Sequence, residues 1–213
     1  MMSSRATTND FYEPAQGDLV VTPRYAGKKQ QALEAAATVF AEKGYHGATT
    51  QDIAEQMGIQ QGSLYYYFKS KEQALQQVCE YGFEHFVLQT QAIFEREESF
   101  ETKLYSIVAA HLSRYRKRNN ALKVHNDQRL YLPVERRARL KQLGSQYREQ
   151  LESVLQQGVE QGVLRPGIDA HFAAYSVIGL CNAWGLNLIR DEHLDLVQVI
   201  DRCVDLLLRG VLI

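Results

Sequence analysis

The sequence predicts an all-α protein. Apolar residues recur at helical spacing from Arg24 almost to the C-terminus, and no stretch shows the alternating pattern of a β-strand. Only four prolines interrupt 213 residues, and a hydrophobic content of 45% allows a sizeable core. Residues 1–23 are polar and rich in turn-forming residues, so we expect a mobile N-terminal arm ahead of the helices.

The first two helices have clear boundary signals. Residues 24–43 carry Leu33 and Phe40 on one face, and Gly44 is a natural helix stop. Thr49 and Asp52 have the spacing of a capping box, which predicts the start of a short second helix. Gly58 then ends that helix, because glycine tolerates the positive φ of a tight turn.

A third helix is predicted over residues 61–67, with Leu64 and Phe68 facing the core at a spacing of four. The link Gly58-Ile59-Gln60 places it immediately after the second helix. Two short helices joined in this way are typical of a helix-turn-helix. We therefore predict a three-helix DNA-binding head over residues 24–70.

The consecutive tyrosines of the third helix point in three directions, so at least one must face solvent. A tyrosine ring can contact a thymine methyl group and its hydroxyl a phosphate oxygen, while glutamine pairs with adenine. This chemistry predicts contacts to double-stranded DNA from Thr50, Gln61, Gly62, Ser63, Tyr65, Tyr66, Tyr67 and Lys71. Packing of the tyrosines within the head is the alternative, and Tyr65 is equally compatible with both.

The head has little net charge. Residues 24–71 contain six basic and four acidic residues. Binding to DNA would then depend on specific polar and aromatic contacts, and its dependence on salt should be modest.

The remainder of the chain is predicted to form a larger helical domain over residues 71–213. A capping box at Ser70 and Gln73 opens a long helix that joins head and body, and the next helices are predicted at residues 100–118, 133–161, 169–189 and 193–209. The last two of these helices are apolar over more than a narrow stripe of their surface.

These two helices either pack on the body core or, with their copies in a second chain, form a four-helix dimer interface.

A basic segment over residues 113–141 stands out, with ten Lys and Arg against two acidic residues, although the whole chain has a net charge of −1. An anionic effector would account for it, because such a ligand needs several fixed cations around it. Pairing with acidic residues elsewhere in the chain would also account for it, and so would an ordinary solvated helix face.

Other function classes lack support in the sequence. The six histidines form neither H-E-x-x-H nor another ligand spacing, and no G-x-S-x-G or G-K-[ST] loop occurs, so we expect no catalytic residue, metal or cofactor. The three cysteines have no metal spacing, and no secretion signal or membrane-length apolar stretch is present. These features favour a cytoplasmic protein. A DNA-binding architectural protein without an effector remains the alternative to a regulator.

Residues 24–75 resemble the DNA-binding head of the tetracycline-repressor (TetR) family. The resemblance lies in Ala35-Ala36, Gly44-Tyr45, Thr49-Thr50, Ile53-Ala54, Met57-Gly58, Gly62-Ser63-Leu64-Tyr65-Tyr66-Tyr67-Phe68 and Lys71-Glu72. It implies a homodimer of about nine helices per chain, released from a palindromic operator when the body binds a small molecule. It also implies a DNA contact at Gln51, where many relatives carry a basic or small residue.

The body resembles a branch of that family that often responds to acyl-CoA thioesters. The features are Arg129-x-Leu-x-Leu132-Pro133, Tyr147, Gly158-x-x-x-Gly162, Leu164-Arg165, Ala173-Ala174 and Leu180-x-Asn182 before Trp184. A CoA headgroup carries several phosphate charges, and an acyl chain needs apolar surroundings. This resemblance implies an effector site formed by Phe86, Phe94, Leu112, Tyr115, Arg129, Trp184 and Leu188.

Overall fold

The computed structural model describes residues 23–116 and 120–210, and every regular element in these ranges is helical. The expected N-terminal arm lies outside the described residues, except for Pro23, which begins the first helix. The α-helices of the described part are α1 Pro23–Gly47, α2 Thr50–Met57, α3 Gln61–Leu64, α4 Lys71–Phe94, α5 Phe100–Arg116, α6 Asn120–Gln128, α7 Ala138–Glu160, α8 Ala170–Arg190 and α9 Leu196–Arg209. Two short 3₁₀ segments, η1 (Arg129–Tyr131) and η2 (Val134–Arg137), connect α6 to α7.

The helix boundary signals of the head are confirmed. Gly44 has a φ of 69° and interrupts the helical geometry of α1. Thr49 and Asp52 form the reciprocal capping box at the start of α2, where each side chain bonds the other residue's backbone N–H. Gly58 ends α2 in the left-handed conformation, at φ 69° and ψ 34°.

One helix was predicted too long, and another was missed. The third helix ends at Leu64, and the tyrosines follow in a tighter turn in which Tyr67 N–H donates to the Leu64 carbonyl at 2.8 Å. Phe68 follows this turn directly and is buried in the head core. Helix α6 was not predicted at all, and it is a short helix whose buried face rests on two neighbouring helices.

Helix α6 connects the head to the body. Its Ala121 and Val124 belong to the same buried cluster as Phe40 of α1 and Leu75 of α4. A hydrogen bond of 2.7 Å from Gln128 Nε2 to the Phe40 carbonyl strengthens this attachment. A displacement of α6 would therefore move α1 directly.

The α4–α6 crossing is unusually close because Gly82 of α4 has no side chain. A Cβ atom at this position would lie 2.6 Å from the carbonyl carbon of Ala121 in α6. Such an approach is shorter than real Cβ contacts, so the two helices meet backbone to backbone. The crossing couples α6 to the helix that continues into the head.

A second core joins α5, α7, α8 and α9, and leaves part of the last two helices uncovered. Phe172, Leu186 and Ile189 of α8 and Val197 of α9 are exposed. By length and composition alone α8 is apolar enough to span a membrane, and only 28% of its most apolar window is buried. An apolar surface of this extent is typical of a contact with another molecule.

Candidate DNA-reading surface and effector cavity

The outer face of α2, α3 and the following turn is formed by polar and aromatic side chains. Tyr66 is 82% exposed and Tyr65 53% exposed, whereas Tyr67 is half-buried against the head core. Four further residues of the predicted DNA contact set are exposed on this part of the head: Gln51, Gln61, Gly62 and Ser63. These six residues are accessible in the single chain, and their contacts to DNA stay a prediction.

A hydrogen bond joins the two short helices within this surface. Gln61 Nε2 donates to Thr50 Oγ1 at 3.0 Å. This bond uses one of the two amide hydrogens of Gln61 and leaves its carbonyl oxygen unused, so a bidentate contact to adenine requires only a local adjustment. Gln51 Nε2 in turn donates to Glu55 Oε1 at 2.8 Å on the same face of α2.

Lys71, predicted to contact phosphate, has a clear structural role within the head. Its Nζ donates to the backbone carbonyls of Tyr45 and Ala48 at 2.8 and 2.9 Å. The ammonium also lies 4.6 Å from the centre of the Tyr45 ring. Lys71 therefore fixes the loop that leads into α2, and a phosphate contact from the same group stays a prediction.

Sequence reasoning missed a second positioning lysine. Lys29 Nζ donates to the Tyr67 carbonyl at 2.5 Å and to Gln77 Oε1 at 2.6 Å, and lies 4.2 Å from the centre of the Phe68 ring. Burial lowers the pKa of Lys29 to about 8. Because its partners follow 38 and 48 residues later, no local pattern reveals that Lys29 holds the tyrosine turn in place.

The body contains a cavity of about 610 Å³ bounded by α4, α5, α6, α7 and α8 together with η1 and η2. Its volume falls within the range of about 300–1,000 Å³ that is usual for small-molecule sites. The apolar part of its lining comes from Phe83, Leu130, Val134, Ala138, Leu140, Gly144, Ile178 and Leu186. The cavity is therefore the strongest candidate for an effector site in the described part of the chain.

The predicted effector residues are divided between the cavity and the surrounding core. Tyr115 and Arg129 line the cavity. Leu112 and Leu188 are fully buried among α5, α8 and α9 and do not reach it. The remaining three lie outside the lining and pack within the neighbouring clusters: Phe86, Phe94 and Trp184.

The basic segment serves two different purposes. Arg136 and Arg139 pair with Glu72 and Glu84 of α4, so part of the segment neutralises acidic residues elsewhere in the chain. The cations that line the cavity have no carboxylate partner within 4 Å in the described ranges: Arg114, Arg129, Arg137 and Lys141. This second group has the character expected of a site for an anionic effector.

A buried hydrogen-bond network forms one wall of the cavity. Asn182 Oδ1 accepts from Arg114 Nη2 at 2.8 Å, from the Tyr115 hydroxyl at 2.9 Å and from His111 Nε2 at 3.0 Å. The Tyr147 hydroxyl then donates to His111 Nδ1 at 3.0 Å, since Nε2 carries the ring proton. Burial, reinforced by the charge of Arg114, lowers the pKa of His111 well below its usual value and keeps the ring neutral.

His125 is a second neutral histidine on the cavity wall. Burial lowers its pKa to about 3, with smaller effects from the charges of Arg129 and Arg114. Its ring stacks on Phe83 with the centroids 4.4 Å apart. The Nδ1 atom is buried and has no hydrogen-bond partner among the described residues, which leaves one ring nitrogen unsatisfied at the cavity.

Two family models match the chain. The model described as "Bacterial regulatory proteins, tetR family" matches residues 32–78. The model described as "Tetracyclin repressor-like, C-terminal domain" matches residues 97–211. Together they cover most of the head and most of the body.

Relatives and solved structures agree with these models. The fatty acid metabolism regulator protein of Bacillus subtilis is 26% identical over 188 residues, which cover 86% of this chain and 95% of that protein. The transcriptional repressor KstR2 of Rhodococcus jostii is 30% identical over 149 residues, which cover 70% of this chain and 73% of that protein. The structure of FadR from Bacillus subtilis in complex with stearoyl-CoA aligns with a TM-score of 0.76 and 25% identity over 86% of this chain and 99% of that chain.

Proposed function

The chain belongs to the TetR family of bacterial regulatory proteins, and on this premise we propose that it is a cytoplasmic transcriptional repressor released by an acyl-CoA thioester. A dimer binds a palindromic operator through two copies of the head. An acyl-CoA in the body cavity favours a different spacing of the heads and weakens operator binding. The protein acts by binding alone and performs no catalysis.

The observation that carries the effector proposal is the group of cavity cations without carboxylate partners. Arg129, Arg137 and Lys141 line the cavity where exposed Leu130 and Val134 mark its opening to solvent. Several fixed cations at an opening suit the phosphates of a CoA headgroup. The apolar part of the lining suits an acyl chain. The stearoyl-CoA bound by a relative of similar fold supports the same class of ligand.

The proposed DNA contacts are those exposed on the head. Tyr66 and Tyr65 extend furthest into solvent, and Gln61 and Ser63 lie beside them at the start of α3. These groups suit thymine methyl, sugar, adenine and phosphate contacts in the major groove. Thr50, Gln51, Gly62, Tyr67 and Lys71 complete the proposed set.

A short path connects the cavity to the head. Arg129 of η1 lines the cavity, and Tyr131 of the same segment stacks on Tyr45 with the ring centroids 5.8 Å apart. Tyr131 also meets the His46 ring edge-on at 4.7 Å. We propose that a ligand bound by Arg129 shifts η1 and α6, and so changes the population of head positions. By reciprocity, operator DNA weakens effector binding by the same factor.

The test measures operator binding by fluorescence anisotropy while acyl-CoAs of increasing chain length, free CoA or free fatty acids are added. We expect release by acyl-CoA. At about 100 times its dissociation constant, the ligand should also stabilise the protein by about 2.7 kcal/mol in thermal unfolding. Release should be impaired in Arg129→Glu but retained in Arg139→Glu, a matched control whose guanidinium pairs outside the cavity with Glu84.

Two outcomes would contradict the proposal. If no acyl-CoA causes release or a thermal shift, the chain fits the alternative of an architectural DNA-binding protein without this effector. If Arg129→Glu and Arg139→Glu respond equally to acyl-CoA, the cavity cations do not bind the headgroup.

A further inference from the structure

The buried wall of the cavity carries a cation that a simple alkyl chain would leave without a counter-ion. Resting on the proposed function, we propose that the effector is an acyl-CoA whose acyl group bears a second carboxylate, and that Arg114 binds this carboxylate. The proposal narrows the effector from acyl-CoAs in general to those of dicarboxylic acids.

Arg114 has unused hydrogen-bonding capacity at the cavity. Its Nη2 donates to the Tyr115 hydroxyl and to Asn182 Oδ1, both at 2.8 Å. Within the described ranges Nη1 makes no hydrogen bond, and Nε is buried without a partner. The N–H groups that remain on this guanidinium can donate charge-assisted hydrogen bonds to a carboxylate.

The surroundings of Arg114 do not neutralise its charge. The guanidinium carbon lies 4.6 Å from the Phe86 ring centre and 4.8 Å from that of Tyr115, so two aromatic faces hold it in place. The nearby His111 and His125 are neutral, because burial lowers both pKa values. In the described part of the chain no carboxylate lies within 4 Å of Arg114. A partly buried cation without a counter-ion favours an anionic ligand.

The cavity cations fall into two sets with different surroundings. Lys141 is exposed and lines the cavity together with exposed Leu130 and Val134. Arg114 instead bonds to a network that includes the buried His111 and Tyr147. A thioester with phosphates at one end and a carboxylate at the other would satisfy both sets. The side chains of Phe83 and Ile178 line the cavity and offer an apolar surface to the methylene groups of the acyl chain.

The test compares thioesters that differ only at the distal end of the acyl group: hexanoyl-CoA with adipoyl-CoA, and octanoyl-CoA with suberoyl-CoA. Isothermal titration calorimetry on the full chain should show the carboxylated member of each pair binding about tenfold more tightly or better, as expected for a charge-assisted bond. In Arg114→Met this preference should disappear, because the carboxylated member of each pair should lose about tenfold more affinity than its uncarboxylated partner. Arg114→Lys should retain part of the preference.

Equal affinity of wild-type protein for the two members of a pair would overturn the proposal without any variant. A similar loss of affinity for both members in Arg114→Met would assign Arg114 to the CoA phosphates, and would also overturn it. If no thioester binds, the acyl-CoA proposal fails separately, and free adipate and hexanoate become the probes. Adipate binding that depends on Arg114 would then preserve the carboxylate site, and no binding of either acid would exclude it.

Discussion

Tyr66 exposes 82% of its surface at the tip of the head, and makes no aromatic contact within the described part of the chain. Its side chain therefore adds little to folding, and DNA binding is the simplest reason for so large an exposed ring. Tyr67 differs, since it packs against the head core. The three adjacent tyrosines thus have graded exposure.

We expect Tyr66→Ala to weaken operator binding by about 1–3 kcal/mol, because it removes contacts to bases or phosphates without leaving a cavity. The midpoint of thermal unfolding should remain that of the wild type. Tyr105→Ala is the matched control, since Tyr105 is also exposed but lies on α5 of the body. A gel shift with wild-type affinity for Tyr66→Ala would show that the ring does not touch DNA.

Residues whose role follows from local periodicity were predictable, and residues whose partners are distant were not. The exposure of Tyr66 follows from the positions of Leu64 and Phe68, both of which are buried. Asn182, by contrast, meets His111 across 71 residues of sequence, and only folding brings them together. For the same reason the contact of Lys29 with the tyrosine turn, 38 residues away, could not be predicted from the sequence.

At the scale of elements, capping signals located helix starts well because they act within one turn. The predicted caps Thr49 and Ser70 each accept a hydrogen bond from the backbone N–H three residues later. Asp169 and Asp195 cap α8 and α9 in the same way, although no capping signal was used to predict those two helices. Helix α6 was not predicted from any capping signal, and it packs against α1 and α4. Sequence patterns therefore predicted the head and the long helices, but not the segment between body and head.

We expect Tyr131→Ala to reduce the coupling between effector and operator. The substitution removes the stack on Tyr45 and the edge contact with His46, through which η1 meets the end of α1. Because Tyr131 is outside the cavity lining and 51% exposed, the affinities for effector alone and operator alone should change little. The concentration of acyl-CoA needed for release should rise.

Tyr131→Phe is the control for this prediction, because it keeps the ring and removes only the hydroxyl. Both variants are compared by measuring effector affinity with and without operator, which gives the coupling factor directly. An unchanged factor in Tyr131→Ala would show that the contacts of Tyr131 do not carry the coupling.

At the scale of the whole molecule, the uncovered stripe of α8 follows helical spacing through Phe172, Gly179, Ala183 and Leu186. A Cβ atom on Gly179 would meet no atom of the described chain within 4 Å. Small residues between larger apolar ones allow a partner helix to approach closely. Of the two alternatives that the sequence left open for these helices, the stripe fits the four-helix dimer interface.

We expect Ala183→Glu to convert the dimer to a monomer, because it places a charge in the middle of this apolar stripe. The monomer fold should survive, since residue 183 is exposed in the single chain. The monomer would bind a palindromic operator through one head only. Its affinity for the operator should therefore fall by about 10²–10⁴-fold, because bivalent binding is lost. Leu88→Glu, at a 46% exposed position on α4, is the control that should remain dimeric. Sedimentation velocity gives the oligomeric state and fluorescence anisotropy gives the operator affinity of the same samples. If Ala183→Glu stays dimeric, the dimer interface lies elsewhere. If it is a monomer with wild-type operator affinity, operator binding does not require paired heads.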